Sequence, residues 1–205
     1  MKRGLFERYL GEEPCYGFSL LELLLVVAII MVLATFYWAP SKTNRQAALR
    51  IACQQNLQKL YIALEIYAND HAGALPKVAS ARNSAEALDV LVPRYTAETS
   101  LFICPASDDR PLNGGGPLKT KKISYAYYMG RALTNAAQAL MTDNQVDSLP
   151  KVAGQTTFSN DGNPPGNNHG KLGGNLLFCD GHVEQIPPNT PVALDLDKGE
   201  RLLNP

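Results

Sequence analysis

The pattern of apolar and polar positions changes character within the first seventy residues. From Phe18 to Trp38 the sequence is apolar, with Glu22 as the single charged side chain. A run of about 20 apolar residues is long enough to cross a bilayer as a helix, so this run predicts a membrane-spanning helix. A carboxylate inside such a span costs on the order of 2.5–3.5 kcal/mol. Glu22 is therefore the first candidate functional residue, and its nearest candidate partner is an amine freed by cleavage before Phe18.

Residues 40–73 predict an amphipathic continuation of this helix. Apolar side chains recur at steps of three and four residues along one face, and polar side chains occupy the other. The stripe covers barely two heptads, which favours packing against a globular head over a coiled coil. Pro40 predicts a break before the stripe and Gly73 a cap after it. The apolar positions are Leu49, Cys53, Leu57, Leu60, Tyr61, Leu64 and Tyr67.

The remaining residues predict a small head of mixed secondary structure. The expected elements are a short helix at 84–91 with Ser84 as its N-cap, a strand or turn edge at 101–104, a strand at 123–129, a segment at 136–141 that suits helix or strand equally, and a hairpin at 175–186. Asp180-Gly181 predicts a two-residue type I′ turn in that hairpin. The predicted fold class is α+β, with a long N-terminal helix packed on a small antiparallel sheet.

Composition narrows the range of functions. The 205 residues allow one domain plus a membrane segment, and 19 basic residues balance 19 acidic ones. This neutral balance gives no basic excess for nucleic-acid binding. The sequence contains neither a Gly-x-Ser-x-Gly elbow nor a Gly-rich nucleotide loop, so we expect no enzyme activity, no catalytic residue and no cofactor. The first 17 residues are no secretory signal peptide, because the apolar run follows them and is too long.

The start of the apolar run resembles a known processing site. Gly17-Phe18-Ser19-Leu20-Leu21-Glu22 is similar to the motif of type IV pilins and type II secretion pseudopilins. The resemblance implies that a prepilin peptidase cuts between Gly17 and Phe18, that the new Phe18 amine is methylated, and that Glu22 guides assembly. It divides the chain into a leader (1–17), a transmembrane and assembly helix (18–39), an amphipathic continuation (40–73) and a pilin-like head (74–205).

The same resemblance implies partners and a location. The expected partners are the prepilin peptidase, the inner membrane, and copies of the chain or other pseudopilins in a helical fibre. The leader would lie in the cytoplasm and the head in the periplasm, with a single pass between them, or outside the cell after assembly of a pilus.

A second resemblance concerns the end of the chain. His169, Asp180 and Gly181 resemble the His-x9-Asp-Gly domain of many prepilin-type proteins, although ten residues separate His169 from Asp180 here. The segments after Cys53 and Cys104 are similar to the same group. In an oxidising periplasm Cys53, Cys104 and Cys179 allow one disulfide and one thiol. The sequence does not determine the pairing, and Cys53 with Cys104 is the candidate pair.

An alternative function uses the chemistry of this C-terminal region. Imidazole and carboxylate groups are common metal ligands, so His169, Asp180 and His182 are candidates for a metal or acid–base site. The alternative is therefore a membrane-tethered periplasmic binding module or enzyme. Turn chemistry explains Asp180 without a metal. This favours the function that the N-terminal resemblance implies, a structural subunit of a type IV pilus-like or type II secretion pseudopilus fibre. A thiol–imidazole pair of Cys179 and His182 is the weakest of these hypotheses.

Overall fold

The chain forms two compact units, Met1–Ser41 and Lys42–Pro205. The computed structural model describes residues 17–37, 42–110, 112, 116–143, 158, 168–187, 190 and 196–205. The leader up to residue 16 and the break predicted at Pro40 lie outside the described residues.

The first unit contains helix α1 (Leu20–Tyr37). The helix begins after Ser19, whose carbonyl accepts a hydrogen bond from the Leu23 N–H at 3.1 Å. Glu22 lies in the first turn, where the helix dipole favours a negative charge. Among the described residues, no helix is both long enough and apolar enough to cross a membrane. The membrane-spanning helix expected over 18–39 is thus not confirmed.

The second unit begins with helix α2 (Lys42–Asp70), which carries the predicted apolar stripe. Cys53, Leu57, Leu60 and Leu64 are fully buried, so the interpretation of this face as a seam against the head is confirmed. Beyond Asp70 the chain turns away at Gly73, whose φ is +85° and whose N–H donates to the Ala68 carbonyl at 2.7 Å. A glycine in the left-handed region is the usual residue for such a cap.

A five-stranded antiparallel sheet packs against α2, as the α+β prediction requires. The strands are β1 (Tyr125–Met129), β2 (Ala139–Asp143), β3 (Gly174–Phe178), β4 (Val183–Ile186) and β5 (Arg201–Leu203), in the spatial order β4-β3-β2-β1-β5. Side chains alternate along β1. Tyr125, Tyr127 and Met129 join the main core with the α2 stripe, while Ala126 and Tyr128 pack on the opposite face.

The structure corrects one local prediction and decides between two alternatives for another. The short helix α3 (Ser84–Leu88) has Asn83 as its N-cap rather than Ser84. Asn83 has the extended backbone that a cap needs, and its Oδ1 accepts the Glu86 N–H at 2.9 Å. The segment expected as a strand or turn edge at 101–104 is a turn edge, because it begins inside a 3₁₀ turn over Thr99–Phe102, which the Ile103 N–H closes by donating to the Ser100 carbonyl.

The hairpin is present, but its predicted turn type is wrong. The Phe178 N–H donates to the His182 carbonyl at 2.9 Å, which leaves a connection of three residues, Cys179, Asp180 and Gly181. Gly181 has a φ of +88°, whereas a type I′ turn needs positive φ at both of its central residues. Cys179, the first residue of this connection, is held beside the start of β2, because its N–H donates to the Gln138 carbonyl at 2.9 Å.

Candidate functional site

The predicted processing site lies just before α1. Gly17, Phe18 and Ser19 precede the helix, and the Phe18 side chain is 78% exposed. A Cβ atom built on Gly17 would meet nothing within 4 Å. Both residues at the predicted cleavage point are exposed. Glu22 is exposed in the first helical turn beyond it.

A second concentration of functional groups lies inside the head. We call it the buried polar cluster: Asp143, His169, Asn168, Asn175 and the disulfide between Cys53 and Cys104. Asp143 ends β2, Asn175 lies on β3, and His169 precedes a 3₁₀ turn over Gly170–Leu172. The antiparallel register, which pairs Thr142 with Leu176, brings the strand residues together.

The Asp143 side chain is the centre of this cluster. Its Oδ2 accepts the backbone N–H of Asn175 at 2.6 Å, and its Oδ1 accepts the Asn168 Nδ2 at 3.2 Å. The Oδ2 also lies 3.0 Å from His169 Nε2, with both side chains wholly inaccessible. A buried carboxylate is tolerated only when its oxygens are satisfied, and Asn175 and Asn168 supply one N–H donor to each oxygen.

His169 connects Asp143 to the disulfide. Its Nε2 lies 3.5 Å from Cys104 Sγ and 3.3 Å from Asn175 Nδ2. The sulfur atoms, the imidazole nitrogen and the carboxylate oxygen all lie within 4.8 Å of one another. Soft sulfur, imidazole nitrogen and a carboxylate oxygen thus meet at one point without access to water.

Arg50 on α2 supplies a positive charge near the cluster. Its guanidinium donates to the carbonyls of Gly174 and Ile186, at 2.9 and 3.0 Å, and so joins α2 to the edge of the β3–β4 hairpin. Burial lowers the pKa of Arg50, and the negative charge of Asp143 acts in the opposite direction.

Comparison with known protein families finds a match at the N-terminus. A family model described as the prokaryotic N-terminal methylation motif matches residues 14–37. This chain carries a prepilin-type N-terminus. The matched segment contains Gly17, Phe18 and Glu22 and ends at the last described residue of α1. No curated protein matches the chain, and no solved structure matches it either.

The match ends at residue 37, so it does not bear on the candidate residues in the C-terminal part of the chain. The structure does not bring the three candidate residues His169, Asp180 and His182 together. Within the described residues, the one group of three or more potential metal ligands contains His169 but neither Asp180 nor His182. His169 is buried against Asp143, while Asp180 and His182 contact each other on the exposed turn of the hairpin.

The exposed pair is explained by turn chemistry. The Asp180 Oδ1 accepts the backbone N–H of His182 at 3.1 Å and contacts the imidazole Nδ1 of the same residue. These two hydrogen bonds lower the pKa of Asp180. The His182 ring also stacks on Phe178, with centroids 4.3 Å apart and planes 5° apart. The pair therefore has a structural role in the hairpin.

Cys179 is not part of a thiol–imidazole pair in the described part of the chain. The contacts found there for His182 are with Asp180, Glu184 and Phe178. Cys179 is buried, and desolvation raises the pKa of its thiol to about 11. A nucleophilic cysteine needs the opposite shift, so Cys179 is an inert buried thiol.

Sequence reasoning missed Asp143 and Asn175. The segment before Asp143 was equally compatible with helix and strand, and only a strand places Asp143 beside β3. Asn175 was assigned only as a strand residue, because its backbone N–H contact with Asp143 depends on the pairing of two strands. A lone aspartate at the end of an apolar run carries no local indication of a buried partner.

Proposed function

We propose that the protein is a pilin-like fibre subunit, made as a precursor that a prepilin peptidase cuts and methylates. The observation that carries the proposal is the match of residues 14–37 to the N-terminal methylation motif. The α+β head, in which an amphipathic helix packs on an antiparallel sheet, supports it. The fibre would be a type IV pilus-like filament or a type II secretion pseudopilus.

Assembly would depend on α1 and Glu22. The large apolar side chains of α1 from Leu20 to Leu33 are exposed, and a helix that is apolar on all sides needs a hydrophobic environment. Neighbouring helices in a bundle provide one. Within it, Glu22 of one subunit would face the Phe18 amine of the next, because each charge is costly there without the other. A head-to-tail contact of this kind does not close, so it builds a helical fibre.

Before assembly, we propose, the apolar segment from Phe18 to Trp38 anchors the precursor in the inner membrane. The leader would face the cytoplasm, where the peptidase partner acts, and the head would face the periplasm. The disulfide between Cys53 and Cys104 supports a head in an oxidising compartment, because such bonds persist there and are rare in the cytosol.

The alternative of a tethered enzyme or binding module has less support. It rested on a joint site of His169, Asp180 and His182. The first is buried beside Asp143, and the other two lie on an exposed turn, so the geometry supplies no common site for them.

The first experiment tests processing. The full-length chain is expressed with and without a prepilin peptidase, and its N-terminal peptide is measured by mass spectrometry. We expect a chain that begins at Phe18 and carries one additional methyl group. A Gly17→Val variant, whose branched side chain sits at the scissile bond, should stay uncut. An intact leader on the wild-type chain would overturn the proposal.

The second experiment tests assembly. Glu22→Gln removes the charge and keeps the shape, so cleavage should continue while fibre yield falls at least tenfold. The matched control is Glu65→Gln, which changes an exposed glutamate of α2 and should leave fibres unaffected. Normal fibres from the Glu22→Gln variant would contradict the role of Glu22 in register.

A further inference from the structure

The buried polar cluster contains the donor set of a transition-metal site. Cys53, Cys104, His169 and Asp143 each offer one ligand atom, and the four atoms lie within 4.8 Å of one another. We propose that reduction of the Cys53–Cys104 disulfide opens a tetrahedral site at this point, which takes Zn²⁺. This inference does not depend on the proposed fibre function.

The distances fit such a site after small adjustments, in which the two sulfur atoms separate and the longer ligand separations shorten. Zn²⁺ binds thiolate sulfur at about 2.3 Å and imidazole nitrogen or carboxylate oxygen at about 2.0–2.2 Å, so ligand atoms of a tetrahedral site stand roughly 3.3–3.8 Å apart. His169 Nε2 already lies 3.0 Å from Asp143 Oδ2 and 3.5 Å from Cys104 Sγ. Once the sulfurs are no longer bonded to each other, each can occupy its own coordination position.

The chemistry balances with a phosphine or a dithiol as the reductant. A phosphine with one water molecule converts the disulfide into two thiols and becomes the phosphine oxide. A dithiol gives two electrons and two protons to the disulfide, which becomes two thiols while the dithiol becomes a disulfide. Zn²⁺ then displaces the proton of each thiol, and two protons leave for water. A neutral imidazole binds metal through its unprotonated nitrogen, so coordination by Nε2 leaves the ring proton on Nδ1.

The surroundings suit a bound cation with two thiolates and a carboxylate. These ligands exceed the charge of Zn²⁺ by one negative unit, and the nearby Arg50 guanidinium, which interacts with Asp143, offsets it. The Asn175 N–H and the Asn168 amide hold the carboxylate in place from outside. Hydrogen bonds of this kind orient metal ligands and strengthen binding.

A surface cavity lies beside residues that neighbour both cysteines in the chain. An open cavity of about 340 Å³ is lined by Asn56, Ser100, Ile103 and Pro105. Ile103 and Pro105 flank Cys104 in the chain, and Asn56 follows Cys53 by about one helical turn. In this proposal a small reductant and a metal ion approach from this side, past the residues that cover the buried sulfur atoms.

The test uses Co²⁺ as a spectroscopic probe on the full-length protein. Oxidised and phosphine-reduced samples are titrated with Co²⁺ and then with Zn²⁺. We expect the reduced protein alone to develop a thiolate-to-cobalt charge-transfer band with the visible bands of tetrahedral Co²⁺, and Zn²⁺ to remove both. Zn²⁺ should also protect Cys53 and Cys104 from alkylation in the reduced protein.

Variants separate this site from other thiols and imidazoles. Cys53→Ser with Cys104→Ser should abolish the bands, and Asp143→Asn should weaken Co²⁺ binding at least tenfold. Cys179→Ala and His182→Ala, which change the remaining buried thiol and an exposed imidazole, should leave binding unchanged. Equal bands in the oxidised protein or in the double serine variant would overturn the proposal.

Circular dichroism shows whether the reduced chain stays folded. If the metal-free reduced chain loses its structure, Co²⁺ or Zn²⁺ should restore it, because the metal replaces the covalent link. A reduced chain that stays folded without forming the bands, or that stays unfolded in the presence of metal, would also overturn the proposal.

Discussion

His169 Nε2 lies 3.0 Å from Asp143 Oδ2, at a point where neither side chain is reached by solvent. The two residues belong to different parts of the head, the end of β2 and the turn before β3. Their contact therefore ties this turn to the middle of the sheet. The same pair borders the disulfide that links α2 to the segment after the 3₁₀ turn.

Replacement of Asp143 by asparagine should destabilise the head by about 3 kcal/mol. The carboxylate accepts from Asn175 and Asn168 and contacts His169, whereas an amide presents a donor where one of those oxygens was. Urea unfolding measures the loss. The control is Asp108→Asn at an exposed position, expected within about 0.5 kcal/mol of wild type. Equal effects of the two variants would contradict the assignment of Asp143 as the centre of the cluster.

Reduction of the disulfide, in the presence of a chelator, should lower the free energy of unfolding by about 4 kcal/mol. The bond closes a loop with a sequence separation of 51, and cross-links of that length restrict the unfolded chain by roughly this amount. Unfolding with and without reductant measures it. A Cys53→Ala, Cys104→Ala variant should be as unstable as the reduced protein and should not respond to reductant. If reductant destabilised this variant as much as wild type, the destabilisation would come from a group other than the disulfide.

The Cys179 thiol should resist alkylation in the folded protein. Burial raises its pKa from the usual 9.0 to about 11, so its thiolate fraction near pH 8 falls about 100-fold. Burial also blocks the reagent, so we expect a large fall in the alkylation rate. Mass spectrometry after timed exposure to iodoacetamide, with the disulfide intact, measures the rate. The same thiol in urea is the control, and similar rates in the two samples would contradict burial.

The same pKa predicts a dependence of stability on pH. The folded state holds the Cys179 proton more tightly than the unfolded state. Its contribution is therefore complete below pH 9 and is lost as the pH rises from about 9 through about 11. A Cys179→Ala variant should lose less stability than wild type across that interval. An identical slope for both proteins would show that other groups control it.

Gly181 should tolerate alanine poorly, because two costs add. Its φ is +88°, which costs an alanine about 1–2 kcal/mol, and the new Cβ would lie 2.7 Å from Tyr61 Cε1. Gly199 is the matched control, since it has a φ of +96° but nothing within 4 Å of a built Cβ. Gly199→Ala should therefore show the backbone cost alone in urea unfolding. A Gly181→Ala variant no less stable than Gly199→Ala would show that the Tyr61 side chain moves aside at little cost.

The sequence by itself determined the features that depend on near neighbours. The period of the α2 stripe, the β-branched and aromatic run of β1 and the position of the hairpin were all predicted, because helix faces and strand preferences are written in a few consecutive residues. The motif around Gly17 and Glu22 was equally readable, since the recognised groups are contiguous.

Tertiary structure decided how distant segments meet. The Asp143–His169 pair required the assignment of β2 as a strand and its register on β3, neither of which is encoded locally. The hairpin has a three-residue turn because the Cys179 N–H donates a hydrogen bond to the Gln138 carbonyl, before β2, and because Gly181 lies against Tyr61. Burial free energy is gained only when segments pack together, and that gain selected among turns and strands that local preference left nearly equal.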